Sequence, residues 1–229
     1  MPKTLLAIGA HYDDCVFGIP GILLQAVRKH YRVVIVSLIG DYSNWAPIGA
    51  RHKEMIAGTT AISKDYGAEM RYLNFRSHQF DVNLATRRAV SEAVAAAEPE
   101  VAFLLWRDDT HDDHVVASRL AEIGLKYAST VLDKRPAKAP GQMYYFDNGP
   151  RHTIGFEPDT FVDVTAEWDR AIEWLGRFMA LVRGETYRAG TLDSAQQMKE
   201  ALALYRGKTC GVRYAEAVRA LGRRPSEIL

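Results

Sequence analysis

Thr4-Leu5-Leu6-Ala7-Ile8-Gly9-Ala10-His11-Tyr12-Asp13-Asp14-Cys15-Val16-Phe17-Gly18 is the stretch that decides the fold. Residues 4–8 form a continuous apolar run, as expected of a strand covered on both faces. The run breaks at Gly9 into a polar loop over 9–18. A segment of helical period follows over about 19–30, with Leu23, Leu24 and Val27 on one face. Strand, loop and helix in that order are the first half of a βαβ unit.

The alternation continues outward from this unit. Strands are predicted over 33–39, 70–75, 101–106, 143–146 and 161–164. Helices are predicted over 51–66, ended by Gly67, over 84–97, followed by Pro99, and over 115–133. A turn-rich linker is read at 136–141, and helices close the chain at 167–182, 195–205 and 214–221. The pattern predicts an α/β, Rossmann-like three-layer fold, a mostly parallel sheet flanked by helices. It is read as a single domain, 1–229, with a C-terminal helical extension over about 165–229.

Composition removes several classes. With 29 basic and 28 acidic side chains the net charge is +1, so nothing suggests a nucleic-acid surface. The arginines of the tail (Arg219, Arg223, Arg224) read as a solvated helix end. Two distant cysteines make no disulfide framework and suit a reducing compartment. The first residues lack the apolar core of a signal peptide, and no apolar stretch approaches the roughly 18 residues that span a bilayer. A cytoplasmic location is the expectation. No Gly-x-Gly-x-x-Gly follows the first strand, which argues against a nicotinamide cofactor.

In open α/β sheets ligands bind beyond the carboxyl ends of the strands. That rule selects the loops 9–18, 40–50 and 107–114. The first and third hold His11, Asp13 and Asp14, and Asp108, Asp109, His111, Asp112, Asp113 and His114. Clustered aspartates repel one another unless solvent or a cation intervenes. They could instead cap the helices that follow, but capping needs one Asp per helix and does not explain the histidines. A mixed His/Asp set is the usual form of a catalytic zinc site with an open position.

At these residues the chain resembles the PIG-L/LmbE-like family of zinc-dependent deacetylases. The family's Ala-His-Pro-Asp-Asp appears as Ala10-His11-Tyr12-Asp13-Asp14, with Gly18 in register. Its His-Pro-Asp-His appears as His111-Asp112-Asp113-His114. Arg51-His52-Lys53-Glu54, Phe161-Val162-Asp163-Val164-Thr165 and Gly211-Val212-Arg213-Tyr214-Ala215-Glu216-Ala217 are similar to further collinear segments. The resemblance implies one Zn²⁺ per chain, although another divalent transition metal suits the same donors. It implies His11, Asp14 and His114 as metal ligands and Asp13 as the base that deprotonates the zinc-bound water. His111 would steady the oxyanion or protonate the leaving amine, and Asp113 would orient a neighbouring histidine. The implied reaction removes an acyl group, acetyl first among them, from an amide nitrogen of a small molecule such as an N-acetyl amino sugar or glycoconjugate.

Tyr12 and Asp112 stand where the family has Pro. After the third strand, Asn74-Phe75-Arg76-Ser77-His78 lacks the acidic residue with which sugar-cleaving members hold hydroxyls. Candidate substrate contacts are Arg51, Tyr12, Arg76 and His152, the last in a long loop over 147–159 that could cover the site. His30, His52 and His78 read as structural or solvent-facing, and Cys15 as a small buried residue. Trp168, Trp174 and Phe178 read as core or oligomer packing; a homo-oligomer is compatible with the sequence. Two rival readings are a metal-dependent phosphoesterase and a non-catalytic metal- or ligand-binding protein on the same fold. Intact candidates for base and acid weigh against the second.

Overall fold

The computed structural model describes residues 2–133 and 137–222. Seven strands form one sheet: β1 (Thr4–Gly9), β2 (Arg32–Asp41), β3 (Ala68–Arg76), β4 (Val101–Leu105), β5 (Gln142–Phe146), β6 (Thr160–Asp163) and β7 (Ala215–Ala220). Their order is β3-β2-β1-β4-β5-β7-β6. The pairs β1·β2, β2·β3, β1·β4 and β4·β5 are parallel, while β7 is antiparallel to both its neighbours. The core strands are buried along nearly their whole length, as the uninterrupted apolar runs predict.

Helices cover both faces. On one side lie α1 (Asp14–Gly18), α2 (Pro20–Arg28), α3 (His52–Asp65), α6 (Trp168–Arg183) and α7 (Ser194–Cys210). On the other, α4 (Leu84–Ala97) packs on α5 (Asp112–Leu132), and both pack on the central strands. Local chemistry sets several boundaries. Asn83 and Thr86 form a reciprocal capping box at the start of α4, and Asp193 and Gln196 do the same for α7. Trp168, Trp174 and Phe178 are all buried in the core. No helix of the described residues is long and apolar enough to cross a membrane.

Connections switch direction between β1 and β4: from β1 the chain winds outward to β2 and β3, then returns to β4 on the other side. The loops that follow β1 and β4 therefore open beside each other at one edge of the sheet, where an α/β fold leaves a crevice. They are the two His/Asp loops.

The last third departs from the expected helical extension. Helices α6 and α7 are present, but 214–221 is not a helix: Ala215–Ala220 is β7, inserted between β5 and β6. Ala and Glu favour helix locally, and tertiary pairing overrides that preference. Glu216 is fully buried, and its carboxylate accepts from Gly21 N at 3.0 Å and Ile22 N at 2.8 Å, the open N-terminus of α2. Lys199 of α7, also buried, reaches Glu216 Oε1 at 2.9 Å and donates to Gly18 O at 2.8 Å. Burial lowers the Lys199 pKa even though Glu216 opposes the shift. Arg219 lies in β7, whereas Arg223 and Arg224, and Pro136 of the expected linker, lie outside the described residues.

Removing one member of such a pair strands the other charge. Glu216→Ala is expected to destabilise the chain by about 3–5 kcal/mol in urea unfolding. Glu216→Leu combined with Lys199→Met should recover only part of that loss, because Gly21 N and Ile22 N still lack the acceptor that Glu216 supplies.

Candidate active site

The site is built from the loop after β1. Gly9 ends the strand, and a Cβ there would stand 2.8 Å from Asp14 Cβ, so glycine lets α1 fold back on the strand end. Asp14 is buried, and its Oδ2 accepts from Ala10 N and His11 N, both at 2.7 Å. Its Oδ1 accepts from Asn148 Nδ2 at 2.6 Å. The carboxylate is thus fixed before any metal is considered.

The loop after β4 meets it. His11 Nδ1 and His114 Nε2 face each other at 3.1 Å. Asp14 Oδ1 lies 3.3 Å from His114 Nε2, and Asp14 Oδ2 lies 3.6 Å from His11 Nδ1. The far nitrogen of each ring meets a carboxylate: Asp113 Oδ2 is 3.3 Å from His11 Nε2, and Asp109 Oδ2 is 3.1 Å from His114 Nδ1. A carboxylate behind an imidazole keeps the proton on the far nitrogen and turns the lone pair inward, at His11 through a hydrogen bond and at His114, whose Nδ1 makes no aligned hydrogen bond, through the nearby charge of Asp109. Two inward lone pairs at 3.1 Å repel unless a cation lies between them, so the donor set fits a divalent metal. His111, with a donor atom within 4.8 Å of those of His11 and His114, is a further neighbour of the centre.

The electrostatics agree. Burial disfavours the charged forms of His11 and His114, yet Asp14 and the carboxylates behind the rings outweigh it and push them up to about 9 and about 10. The same two rings hold Asp14 well below the usual carboxylate range against its burial. The pocket demands positive charge, which protons or a metal can supply in competition. Asp13 is different: burial and then the charge of Asp14 push it up to about 6. His111 moves down to about 4, through burial and then the neighbouring His11 and His114.

Capping does not explain the aspartates. Asp13 is the N-cap residue of α1 and His111 that of α5, and neither side chain makes a capping bond. Asp109 instead accepts from His111 N at 2.8 Å, a tight turn that brings its other oxygen behind His114.

A cavity of about 670 Å³ opens over this cluster, a size suited to a small molecule. His11, Asp13, Asp14, His111 and His114 form its floor, and Tyr12, Trp45, Met198, Arg151 and His152 line its walls. Of the substrate candidates, Tyr12 and His152 line it. Tyr12 is almost buried, its ring among Tyr42, Trp45 and Phe178. Arg51 does not line it: its Nη2 donates to Val182 O at 3.0 Å near the end of α6, rather than pairing with Glu54 or facing a ligand. Arg76 is also outside, held 3.4 Å from Asp41 Oδ2 and donating to Ser43 Oγ at 2.8 Å.

His78, expected to be structural or solvent-facing, lines the cavity with its ring stacked on His111 at 5.1 Å. Its backbone N donates to Asp113 Oδ1 at 2.8 Å, and Ser77 Oγ donates to Asp113 Oδ2 at 2.6 Å. Asp113 orients His11 rather than His111, whose Nδ1 is 4.0 Å away. The roles of Asp109 and Asn148 were not read from sequence. Asp109 stood unassigned within the Asp cluster, whereas Asn148 is 134 residues from Asp14 and carries no local signal. Cys15 is buried in α1. The loop over 147–159 is wall rather than a free lid. Arg206 holds Asp147 in a buried pair at 2.6 Å, Thr110 N donates to His152 O at 2.9 Å, and Trp106 Nε1 donates to Ile154 O at 2.9 Å.

Fold and site together define an α/β enzyme with a candidate His/Asp metal centre at the carboxyl edge of its sheet. The PIG-L (GlcNAc-PI de-N-acetylase) family matches residues 6–123, just over half of the chain, and the chain belongs to that family. A 4-oxalmesaconate hydratase of Pseudomonas putida is 23% identical over 186 residues, 73% of this chain and 70% of that protein. Among solved structures, the 4-carboxy-2-hydroxymuconate hydratase of the same organism aligns over 99% of both chains with a TM-score of 0.81 at 21% identity. The N,N'-diacetylchitobiose deacetylase of Pyrococcus horikoshii aligns over 96% of this chain and 84% of its own with a TM-score of 0.74 at 18% identity. These likenesses show the fold.

If Asp109 and Asp113 set the imidazole tautomers, Asp109→Asn and Asp113→Asn should each weaken zinc binding about 10- to 100-fold in chelator competition. Arg76→Ala, outside the cavity, should leave zinc affinity unchanged.

Proposed function

We propose that the chain is a single-domain, zinc-dependent N-deacylase that hydrolyses the amide of a small molecule, with acetyl the expected acyl group. His11, Asp14 and His114 would hold the metal, which when bound acidifies its water toward a pKa of about 7 and polarises the amide carbonyl. The observation that carries the reading is Asp13. It lies on the cavity floor beside Asp14, and among the described residues it has no ion-pair partner and no side-chain donor. A half-buried carboxyl with its pKa pushed up to about 6 is suited to take a proton near neutral pH.

The other residues divide the remaining work. Asp13 accepts the proton of the attacking water and can return it toward the leaving amine. His111, neutral at pH 7 because burial and its imidazole neighbours lower its pKa, donates a hydrogen bond to the developing oxyanion. Asp113 and Asp109 hold the two ligand rings, and Asn148 holds Asp14. Tyr12, Trp45 and Met198 give the acyl or aglycone part an apolar wall.

A second reading is hydration of a carbon–carbon double bond in an unsaturated carboxylate, since activation of water by a base is common to both reactions. The cavity lining favours it as a specific alternative: among the described residues its carboxylates are Asp13 and Asp14 alone, while Arg151, His152 and His78 offer anion contacts. The hydratase matches act on such compounds by name.

Zinc-loaded protein should release amine from a panel of N-acetyl amino sugars and N-acyl amino acids. Loss of ultraviolet absorbance from unsaturated dicarboxylates without amine release would replace deacylation with hydration. Asp13→Asn should keep its zinc while turnover falls about 10²- to 10⁴-fold. Loss of zinc in that variant would reverse the roles of Asp13 and Asp14.

A further inference from the structure

The cavity carries a cation that the chemistry above leaves without a task. Arg151 is the sole Lys or Arg among the described lining residues, and it is exposed. Among the described residues no carboxylate pairs with its guanidinium and no acceptor holds it, whereas Arg51 and Arg76, outside the cavity, are both engaged. Its backbone is fixed. Gly149 O accepts from His152 N at 3.3 Å and from Thr153 N at 3.1 Å, closing a turn around Arg151. Thr110 N and Ile154 N tie that turn to the loop after β4, and the buried Arg206–Asp147 pair ties it to α7. Arg151 is thus a long arm on a rigid base, next to His152, whose ring is 5.6 Å from that of the proposed ligand His114.

An apolar surface adjoins the same turn. A Cβ on Gly149 would stand 3.1 Å from Phe17 Cε1 and 3.9 Å from Met198 Sδ, and both side chains line the cavity. The start of α7 adds no second anion site. Ser194 and Ala195 also line the cavity, but Asp193 already accepts from Ala195 N at 2.8 Å and from Gln196 N at 2.9 Å.

We propose that the substrate is an N-acyl α-amino acid with an apolar side chain, whose carboxylate pairs with Arg151 and whose side chain packs on Phe17 and Met198. The amino-acid assignment rests on the deacylase reading above; the carboxylate contact does not. In an α-amino acid the carboxylate and the side chain leave the same carbon, one bond from the amide nitrogen. The cavity presents a matching pair, a cation and an apolar face on one turn beside the proposed metal ligands. Arg binds a carboxylate through two parallel N–H···O bonds, which orients the ligand as well as holding it. A neutral amino sugar would leave Arg151 unpaired and set hydroxyls against Phe17 and Met198. Hydrolysis consumes one water. The bond between acyl carbon and nitrogen breaks, and the water oxygen bonds to that carbon. Both water protons end on the nitrogen, one of them through Asp13, leaving a free carboxylate and the amino acid in its ammonium form.

The test compares N-acetyl-L-methionine with its neutral amide, N-acetyl-L-methioninamide, and with N-acetylglucosamine on the zinc-loaded full chain. Wild type should release amine from the acid with a kcat/KM about 10- to 100-fold above that for the amide, the span of a charged bidentate pair. In Arg151→Gln that ratio should fall to about one, with the loss carried by KM. Arg151→Lys, which keeps the charge without the fork, should restore part of it. N-acetylglycine, which has no side chain to pack, should be at least about tenfold poorer than N-acetyl-L-methionine, and Met198→Gln should narrow that gap. Calorimetric titration of Asp13→Asn with the same acid and amide gives a readout free of turnover. The acid should bind at least about tenfold more tightly, and adding Arg151→Gln should abolish the difference. Equal use of acid and amide, a preference for N-acetylglucosamine, or an acid preference that survives Arg151→Gln would overturn the proposal while leaving deacylation standing. Arg151-dependent binding of the acid without amine release from any compound would overturn the deacylase reading, and the amino-acid assignment with it.

Discussion

Two imidazole nitrogens, from His11 and His114, are held 3.1 Å apart with a buried carboxylate against both. This arrangement is unfavourable unless positive charge sits among the three groups, and much of the surrounding structure serves to enforce it. Gly9 clears room for Asp14, backbone N–H groups of Ala10 and His11 fix its carboxylate, and Asp109 and Asp113 back the two rings. The loops can meet only because β1 and β4 are neighbours at the point where the strand order reverses. A site this dependent on electrostatics needs a rigid frame, since an ångström of slack would relieve the repulsion and weaken the demand for a cation.

The last third of the chain supplies part of that frame. Through Glu216, β7 closes the N-terminus of α2, and Lys199 ties α7 to the same carboxylate and to Gly18 at the end of α1. Arg206 of α7 fixes Asp147, and the next residue, Asn148, donates to Asp14. A continuous line of buried polar contacts thus runs from α7 to the cavity floor. Most of these groups are paired by charge or hydrogen bond, which makes them tolerable in a core, while Asn148 Oδ1 is buried without a partner.

The wall of the cavity has a different logic. Asp13 and Asp14 line the cavity together with Arg151, His152 and His78, and the His78 and His152 rings stand against His111 and His114, 5.1 and 5.6 Å away. A ligand with an anionic end would meet the Arg151 guanidinium as its complementary charge. Arg76 and Arg51 do not take this part, because each is engaged by a nearer acceptor: Asp41 and Ser43 for the first, Val182 O for the second.

By itself the sequence determined the alternating βαβ architecture, the buried parallel strands and the two loops of the site. Each of these rests on interactions within a short window: apolar period, glycine breaks, and histidines three residues apart at a helix start. That adjacent Asp13 and Asp14 project differently from one loop was likewise legible from the motif, whereas the backbone donors that fix Asp14 are seen only in the fold. Tertiary structure alone decided the rest. It made 215–220 a strand despite its helical composition, because the gap between β5 and β6 and the open N-terminus of α2 offered more than local propensity. It also chose which carboxylate stands behind which imidazole, brought Asn148 to Asp14 across 134 residues, and turned His78 toward the site. Those contacts join residues distant along the chain, so only the folded arrangement specifies them.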